Sequence, residues 1–245
     1  MLGTQRPRTA GRPLLYPAAR RPAAALVIAA VVVTAALGLL LAGQSRPGRV
    51  DGWIDGQIDA RLGRYPHVTD FIYLGDTLWV VVIATVAVAA CLLTRRLRGA
   101  LLVAITVPVA GGLTDHILKS LVGRTNNGAL TYPSGHTAVV TTMVVAAVLV
   151  LTGPGRPPLP AALRWLLSAV LLALIPCVAV SLVIADYHYF TDTIGGAGVG
   201  IAVVLGTALG LDTAAARRGA RAATEGPDPA GRDGISAAAR ELPRP

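Results

Sequence analysis

At 245 residues, 53% of them hydrophobic and only 14% charged, the chain is too apolar for an ordinary soluble domain, and its apolar residues are bunched in long runs. Its net charge of +9 comes almost entirely from arginines that flank those runs. No basic domain with interleaved aromatic residues is present, which argues against nucleic acid as a partner. The composition indicates an integral membrane protein surrounded by membrane lipids.

Residues 1–22 carry arginines among prolines and small residues, a composition typical of a disordered basic tail. Residues 23–43 follow without a charge, and such a run is long enough to cross a bilayer. It is also longer than the core of a signal peptide, so we interpret it as a spanning helix that is not cleaved. A cleaved signal peptide is the alternative.

The segment 44–70 is polar, with apolar residues at helical spacing and acidic residues between them. This pattern predicts an amphipathic helix on the membrane surface. It is either a lid that guides a lipid head group or a helix packed in a loop, and we favour the packed helix. Its apolar positions are Val50, Trp53, Ile54, Ile58 and Leu62, and the charged ones between them are Asp51, Asp55, Asp59 and Arg61.

Five further apolar runs predict five more spans, so the expected fold is an all-α, six-transmembrane-helix bundle over residues 23–211. The runs cover residues 71–93, 99–118, 137–152, 165–185 and 193–211. Cys91 and Cys177 lie inside runs and are interpreted as small hydrophobic residues. The last run carries four glycines that favour close helix contact, Gly196, Gly200, Gly206 and Gly210. Residues 212–245 are predicted to be a disordered tail.

Arginine-rich segments stay in the cytoplasm, and an even number of spans places all of them on one side. These segments are residues 1–22, 94–98, 153–164 and 212–245. Both termini are therefore expected in the cytoplasm of a multi-pass plasma-membrane protein. The segments 119–136 and 186–192 then face the extracytoplasmic side, where we expect the active site.

The sequence Pro-Ser-Gly-His at residues 133–136 stands directly before an apolar run, which predicts the start of a helix. Gly135 lets backbone approach a ligand closely, and the free N–H groups of a helix start bind anions. The pattern indicates phosphate chemistry, which requires positive charge and N–H donors around the phosphoryl oxygens. We assign this role to Lys119, Arg124, Ser134 and Gly135. Snorkelling at a helix end is the alternative for the two cations.

The sequence from Tyr187 onward supplies a second histidine, His188, and a carboxylate four residues later, Asp192. A carboxylate at this spacing can hold the imidazole in one tautomer and stabilise its charged form. We predict that His188 attacks phosphorus and that His136 donates a proton to the leaving group. Asp115 is placed to pair with Lys119 one helical turn later. His116 and Asp186 are interpreted as a structural residue and a solvated boundary residue.

These motifs resemble the type 2 phosphatidic acid phosphatase family. The family signature is a lysine followed after six residues by Arg-Pro, then Pro-Ser-Gly-His, then Ser-Arg with a histidine and an aspartate downstream. Lys119, the Pro-Ser-Gly-His sequence, Ser181, His188 and Asp192 match it. Asn126 and Asn127 replace Arg-Pro, and Leu182 replaces the third motif's arginine. Arg124, two residues before the expected Arg-Pro position, is expected to supply the positive charge of one missing arginine. The alternative is that Arg61 or Arg64 from the first outer segment supplies it.

The resemblance implies a metal-independent phosphatase without a cofactor, in which His188 forms a phosphohistidine, Asp192 supports it and His136 protonates the leaving group. It implies a lipid phosphate or pyrophosphate as substrate, and phosphatidic acid, phosphatidylglycerol phosphate, a polyprenyl diphosphate and a prenyl-linked sugar phosphate all qualify. The related vanadium haloperoxidases are soluble, so the spans favour the phosphatase branch. The alternative is a catalytically silent relative that binds or moves anionic lipids. A channel or transporter is weaker, since no inverted repeat is evident.

Overall fold

The chain forms a helical bundle, and the computed structural model describes residues 12–224. In this part of the chain eight α-helices follow one another: α1 (Arg20–Leu41), α2 (Arg49–Leu62), α3 (Thr77–Leu93), α4 (Leu97–Gly112), α5 (Lys119–Val122), α6 (Gly135–Thr152), α7 (Ala161–Ile184) and α8 (Phe190–Thr224). Two 3₁₀-helices (Pro17–Ala19 and Pro66–Gly75) and a π-helix (Leu113–Leu118) join them. The strands β1 (Thr125–Asn126) and β2 (Ala129–Leu130) form an antiparallel hairpin.

Within residues 12–224, five stretches of helix are long and apolar enough to cross a membrane. A sixth span results if the 3₁₀-helix Pro66–Gly75 and α3 are counted together, although they are bent by 59°. The bend falls at Asp76, whose extended backbone interrupts the helix. The predicted all-α bundle with up to six spans is therefore confirmed, and the second of them in chain order contains this break.

The centre of the bundle is α6, which packs against α4, α7 and α8. One apolar cluster contains Leu102 of α4, Val139 of α6 and Val204 of α8. A second cluster joins Val140 of α6 to Leu182 of α7. Both histidine motifs stand at the ends of these packed helices, so burial of the two clusters fixes the distance between the motifs.

Of the four α8 glycines expected at close helix contacts, two permit close contact with α6. A Cβ atom at Gly196 would lie 2.3 Å from the carbonyl oxygen of Ser134, and one at Gly200 would lie 2.7 Å from that of Ala138. The prediction of close helix contact is wrong for Gly206 and Gly210, where a Cβ atom would meet nothing within 4 Å. Small residues at a helix crossing let the two backbones approach each other, and of these four glycines only the two in the first half of α8 lie at such a crossing.

Both predicted tails are more ordered than expected within the described residues. Leu14 and Leu15 are buried, and their N–H groups donate to the carboxylate of Asp212 at 3.0–3.1 Å. Arg98 also donates to this carboxylate, at 3.0 Å. A buried carboxylate needs such partners, and they order residues 12–22 and the start of the predicted C-terminal tail. Helix α8 continues to Thr224. The remainder of each predicted tail, residues 1–11 and 225–245, lies outside the described residues.

The arginine-rich segments meet at one end of the bundle. Residues of the N-terminal segment, of the α3–α4 connection and of the α6–α7 connection line one cavity of about 590 Å³. The arginines among them are Arg12, Arg95, Arg96, Arg98 and Arg156. This arrangement agrees with an even number of spans between these segments.

Candidate active site

The helix start predicted from Pro-Ser-Gly-His is present, and it is fixed to the second motif. Ser134 caps α6, because its Oγ accepts from the N–H of Thr137 at 3.3 Å. The N–H of Ser134 donates to the carbonyl oxygen of Asp192 at 2.9 Å. The hydroxyl of Tyr132 donates to the carbonyl of Thr34 in α1 at 2.6 Å. These last two hydrogen bonds hold the turn that carries His136 against the N-terminal end of α8 and the middle of α1.

His188 is almost completely buried beside Asp192. Its Nδ1 lies 3.7 Å from Asp192 Oδ2, which is within ion-pair range but too long for a hydrogen bond. Burial lowers the pKa of His188, the carboxylate of Asp192 opposes that shift, and the positive charges of Lys119 and His136 add to it. The structure thus brings these four predicted residues together. It also favours a neutral imidazole, the form with a nitrogen lone pair to attack phosphorus.

His136 has a carboxylate partner that sequence reasoning missed. Its Nε2 lies 3.1 Å from Oδ1 of Asp76, at the bend before α3. Gly75 packs directly on the ring, since a Cβ atom there would lie 2.6 Å from Cδ2 of His136. The sequence showed Asp76 only as an acidic residue near the end of a span. Its separation of 60 residues from His136 gave no local signal for the contact.

Lys119 pairs with Asp115 as the four-residue spacing predicted. Its Nζ lies 2.8 Å from Asp115 Oδ1, across the junction of the π-helix and α5. π-Helical turns are frequent at functional sites, and this turn directs both side chains toward the start of α6. Asp115 lies against Gly135, where a Cβ atom would be 2.8 Å from Oδ1. Gly135 therefore gives close access, as expected, but a carboxylate occupies that space. His116 on the same turn is exposed.

A groove of about 720 Å³ opens between α3, α4 and α6. One end is polar and is lined by Asp76, Asp115, Lys119, Gly135 and His136. The remaining walls are largely apolar side chains of the three helices, among them Val80, Val88, Val103 and Val107. Such a groove can accept a molecule with a charged head and a hydrocarbon tail.

Arg124 is brought to the predicted site, but its contacts are not those expected of a phosphate ligand. Its side chain is 0% exposed, and it lies between two carboxylates. Nη1 donates to Asp192 Oδ1 at 2.6 Å, and Nη2 donates to Asp51 Oδ2 at 2.5 Å. The predicted role in phosphate binding remains a prediction, and it would require these contacts to open. Ser134 is likewise fully buried, with its Oγ engaged by Thr137.

The asparagines that replace Arg-Pro connect the two motif loops. Asn126 Nδ2 donates to Asp186 Oδ1 at 3.1 Å, and Asn127 Nδ2 donates to Asp186 Oδ2 at 2.9 Å. The hydroxyl of Tyr189 donates to Asn126 Oδ1 at 3.0 Å. Asp186 is exposed, as a boundary residue should be, but it also accepts these hydrogen bonds. The prediction of a solvated boundary residue is confirmed, and the carboxylate has these hydrogen bonds in addition.

The structure also shows the surroundings of Leu182, which replaces a family arginine, and of the two arginines considered as substitutes. Leu182 is fully buried in the apolar cluster between α6 and α7. Arg61 and Arg64 are exposed, and they contact Gln57 and the ring of Tyr65 rather than the site. Among residues 12–224, no group of three or more histidine, cysteine or acidic side chains could hold a metal ion.

The structure is thus a membrane-spanning helical bundle with two histidine–aspartate pairs and a lysine at one end of its central helices. The family model of the PAP2 superfamily matches residues 23–214, and the chain belongs to that superfamily. At the level of the family it is a lipid phosphatase. No curated protein matches the chain significantly.

A solved structure supports the same fold. It is described as the crystal structure of the first transmembrane PAP2 type phosphatidylglycerolphosphate phosphatase from Bacillus subtilis. The two chains align with a TM-score of 0.58 and 18% sequence identity, over 78% of this chain and 96% of the other. At this identity the likeness concerns the fold.

Proposed function

We propose that the chain hydrolyses a lipid phosphate or pyrophosphate through a phosphohistidine on His188, without a metal ion. The reaction takes place at the extracytoplasmic face of the plasma membrane, with both termini in the cytoplasm. Candidate substrates are phosphatidic acid, phosphatidylglycerol phosphate, a polyprenyl diphosphate and a prenyl-linked sugar phosphate. The observation that carries the proposal is the placement of His188 beside Asp192, with Lys119 and His136 close enough to lower its pKa.

The first step forms a bond between Nε2 of His188 and phosphorus, while the bond from phosphorus to the lipid oxygen breaks. The lone pair of Nε2 is free when the proton of His188 resides on Nδ1, facing Asp192. The departing oxygen takes the bonding electron pair and receives a proton from His136. Asp76 orients the His136 ring for this transfer.

The second step returns the enzyme to its starting state. Water gives a proton to His136 and attacks phosphorus, the phosphorus–nitrogen bond breaks, and inorganic phosphate leaves. Asp192 stabilises the positive charge that His188 carries while the phosphohistidine exists. Every proton taken in one step is thus returned in the other.

The phosphoryl group lies between the polar end of the groove, which Lys119 and His136 line, and the buried ring of His188, which does not itself line the groove. Lys119 supplies positive charge, and the first N–H groups of α6, at Gly135 and His136, precede the intrahelical hydrogen bonds and remain available to an anion. Ser134 shapes this helix start by capping it. A phosphoryl oxygen that reaches Lys119 competes with Asp115, which lies against both Lys119 and Gly135. The apolar walls of the groove suit the lipid tail.

The experiment is phosphate release by the purified protein in detergent from each of the four candidate substrates, with and without EDTA. The wild type should release phosphate from at least one substrate, and EDTA should have no effect. His188→Ala should lower turnover about 10²- to 10⁴-fold, the usual effect of losing an essential acid, base or nucleophile. His116→Ala is the matched control, because His116 is exposed, whereas His188 is buried beside Asp192.

A silent lipid-binding relative is the second candidate, and one observation favours it. Asp76 and Asp115 neutralise the two cations at the polar end of the groove, and two family arginines are absent. If no substrate is cleaved while the protein still binds vesicles of anionic lipid, this second function replaces the first. Strong inhibition by EDTA would instead contradict the metal-independent mechanism.

A further inference from the structure

Arg124 and Asp51 form a buried charge cluster with the carboxylate that supports the nucleophile. The side chains of Arg124 and Asp192 are 0% exposed, and that of Asp51 is 1% exposed. Asp51 comes from α2, 73 residues before Arg124 in the chain. Ion pairs at this depth are rarely incidental, because each charge loses its hydration and must recover it from partners.

Every oxygen of the two carboxylates has a defined partner. Asp51 Oδ1 accepts from the N–H of Thr191 at 2.9 Å, and its Oδ2 accepts from the Thr191 hydroxyl at 3.0 Å and from Arg124. Asp192 Oδ1 accepts from Arg124, and its Oδ2 accepts from the N–H of Tyr189 at 3.0 Å. That leaves Asp192 Oδ2 as the oxygen that faces His188.

The guanidinium of Arg124 has little capacity left for a substrate. Nη1 also donates to the Thr191 hydroxyl at 2.7 Å, and Cζ lies 4.4 Å from the centre of the Tyr189 ring. Nε has no hydrogen-bond partner among the described residues, but it is buried. A phosphoryl oxygen could reach it only if the cluster opened.

We infer that Asp51 and Arg124 are positioning residues for Asp192, and that Asp51 offsets the charge of Arg124 so that Asp192 keeps its negative charge for His188. This inference rests on the proposed phosphohistidine reaction. With two carboxylates and one guanidinium, the cluster carries one net negative charge. Without Asp51, Arg124 alone would neutralise Asp192, and the positive charge that His188 develops would lose its counterion. Helix α2 is therefore part of the catalytic unit rather than a lid.

The charges that face His188 come from several elements. Asp192 lies on α8, Lys119 on α5 and His136 on α6, while Asp51 and Arg124 act through Asp192. Asp55 of α2 is coupled to Asp51, Asp192 and Arg124, and its pKa is raised to about 6, chiefly by burial. Lys119 and His136 are unchanged in the variants below, and measuring each variant in an Asp55→Asn background removes the titration of Asp55, so the remaining differences report on Asp51, Arg124 and Asp192.

The test measures kcat/KM against pH for Asp51→Asn, Arg124→Gln and the double variant. The acid limb of this profile reports the pKa of His188 in the free enzyme. Asp51→Asn removes negative charge, so the limb should move by about 0.5 to 1 pH unit to lower pH, and kcat should fall about 10- to 100-fold. Arg124→Gln should move the limb to higher pH, and the double variant should lie near the wild-type position.

A matched control comes from the same helix. Asp59→Asn makes the same charge change on α2 at an exposed position, and it should leave both the profile and kcat unchanged. If Asp51→Asn does not fold, the double variant still tests the inference, because it removes one charge of each sign and so keeps the net charge of the cluster. A double variant with the profile of Arg124→Gln alone would then overturn the role of Asp51.

Inorganic phosphate as a competitive inhibitor distinguishes positioning from phosphate binding. Lys119→Ala should raise the inhibition constant about 10-fold or more, the usual effect of losing a charged hydrogen bond. Arg124→Gln should leave it within about twofold while lowering kcat. An equal rise for both variants would show that Arg124 binds phosphate and would overturn the inference. An inactive wild type would instead refute the proposed function, so the two failures are distinct.

Discussion

A methyl group added at Gly196 tests whether the contact between α6 and α8 sets the geometry of the active site. In Gly196→Ala, the new Cβ atom would lie 2.3 Å from the carbonyl oxygen of Ser134, a backbone atom that cannot rotate away. Ordinary contact requires the two helices to separate locally by about 1 Å, and overpacking of this kind costs about 1–3 kcal/mol. The displaced backbone is the turn that carries His136.

The consequence for catalysis follows from the same displacement. The N–H of Ser134 donates to the carbonyl of Asp192, so moving the turn changes the distance between His136 and the His188–Asp192 pair. A misplacement of about 1 Å can lower turnover about 10²-fold. We therefore expect Gly196→Ala to lower both the melting temperature in detergent and kcat for phosphate release.

Gly206 supplies the control on the same helix. A Cβ atom there would meet nothing within 4 Å, and alanine is the better helix former, so Gly206→Ala should leave activity unchanged and keep or raise the melting temperature. The reasoning is refuted if Gly196→Ala matches Gly206→Ala in both measurements.

Three further predictions concern protons and topology. If His136 is the general acid and Asp76 orients it, His136→Ala and Asp76→Asn should lower cleavage of lipid substrates far more than cleavage of an aryl phosphate, whose leaving group needs no proton; equal losses would contradict the role. Burial raises the pKa of Asp55 on α2 to about 6, with Asp51 and Asp192 adding to the shift and Arg124 opposing it. The folded state therefore binds this proton more tightly than the unfolded state does, and the melting temperature should fall as the pH rises from about 4 to 6. Asp55→Asn should reduce that fall. An unchanged dependence of the melting temperature on pH would refute the role of Asp55. In a variant without native cysteines, Ala129→Cys should react with an impermeant thiol reagent on intact cells and Pro158→Cys only after lysis, and the reverse pattern would invert the topology.

The sequence predicted those parts of the site that depend on local spacing. Lys119 and Asp115 are four residues apart, and a helical turn brings them together wherever that helix lies. The helix start at Ser134 follows from its capping side chain and the apolar run after it. Spans were predictable for the same reason, because each depends on the composition of one continuous segment.

Contacts between distant segments could not be predicted in this way. The acidic residues of α2 looked like the solvated face of an amphipathic helix, whereas Asp51 is buried against Arg124, and Asp55 accepts from the N–H of Phe190 at 3.1 Å. Nothing in the spacing of the sequence distinguishes a carboxylate that faces water from one that caps another helix. Asp76 was missed for the same reason. The ordering of residues 12–22 depends on Asp212, about 200 residues away, and was equally hidden.

The two missing arginines are accounted for by what surrounds their positions. Leu182 packs with Val140 and Val144, so its surroundings are apolar and offer no partner for a charge. Asn126 joins Asp186 to Tyr189, and it holds the two motif loops together without adding charge. With Arg124 bound between two carboxylates, the basic side chains that line the groove among residues 12–224 are Lys119 and His136, and the start of α6 adds N–H groups. In the proposed mechanism, the interactions that strengthen during the reaction are those of the positive charge that develops on His188 with Asp192, and of the leaving oxygen with His136.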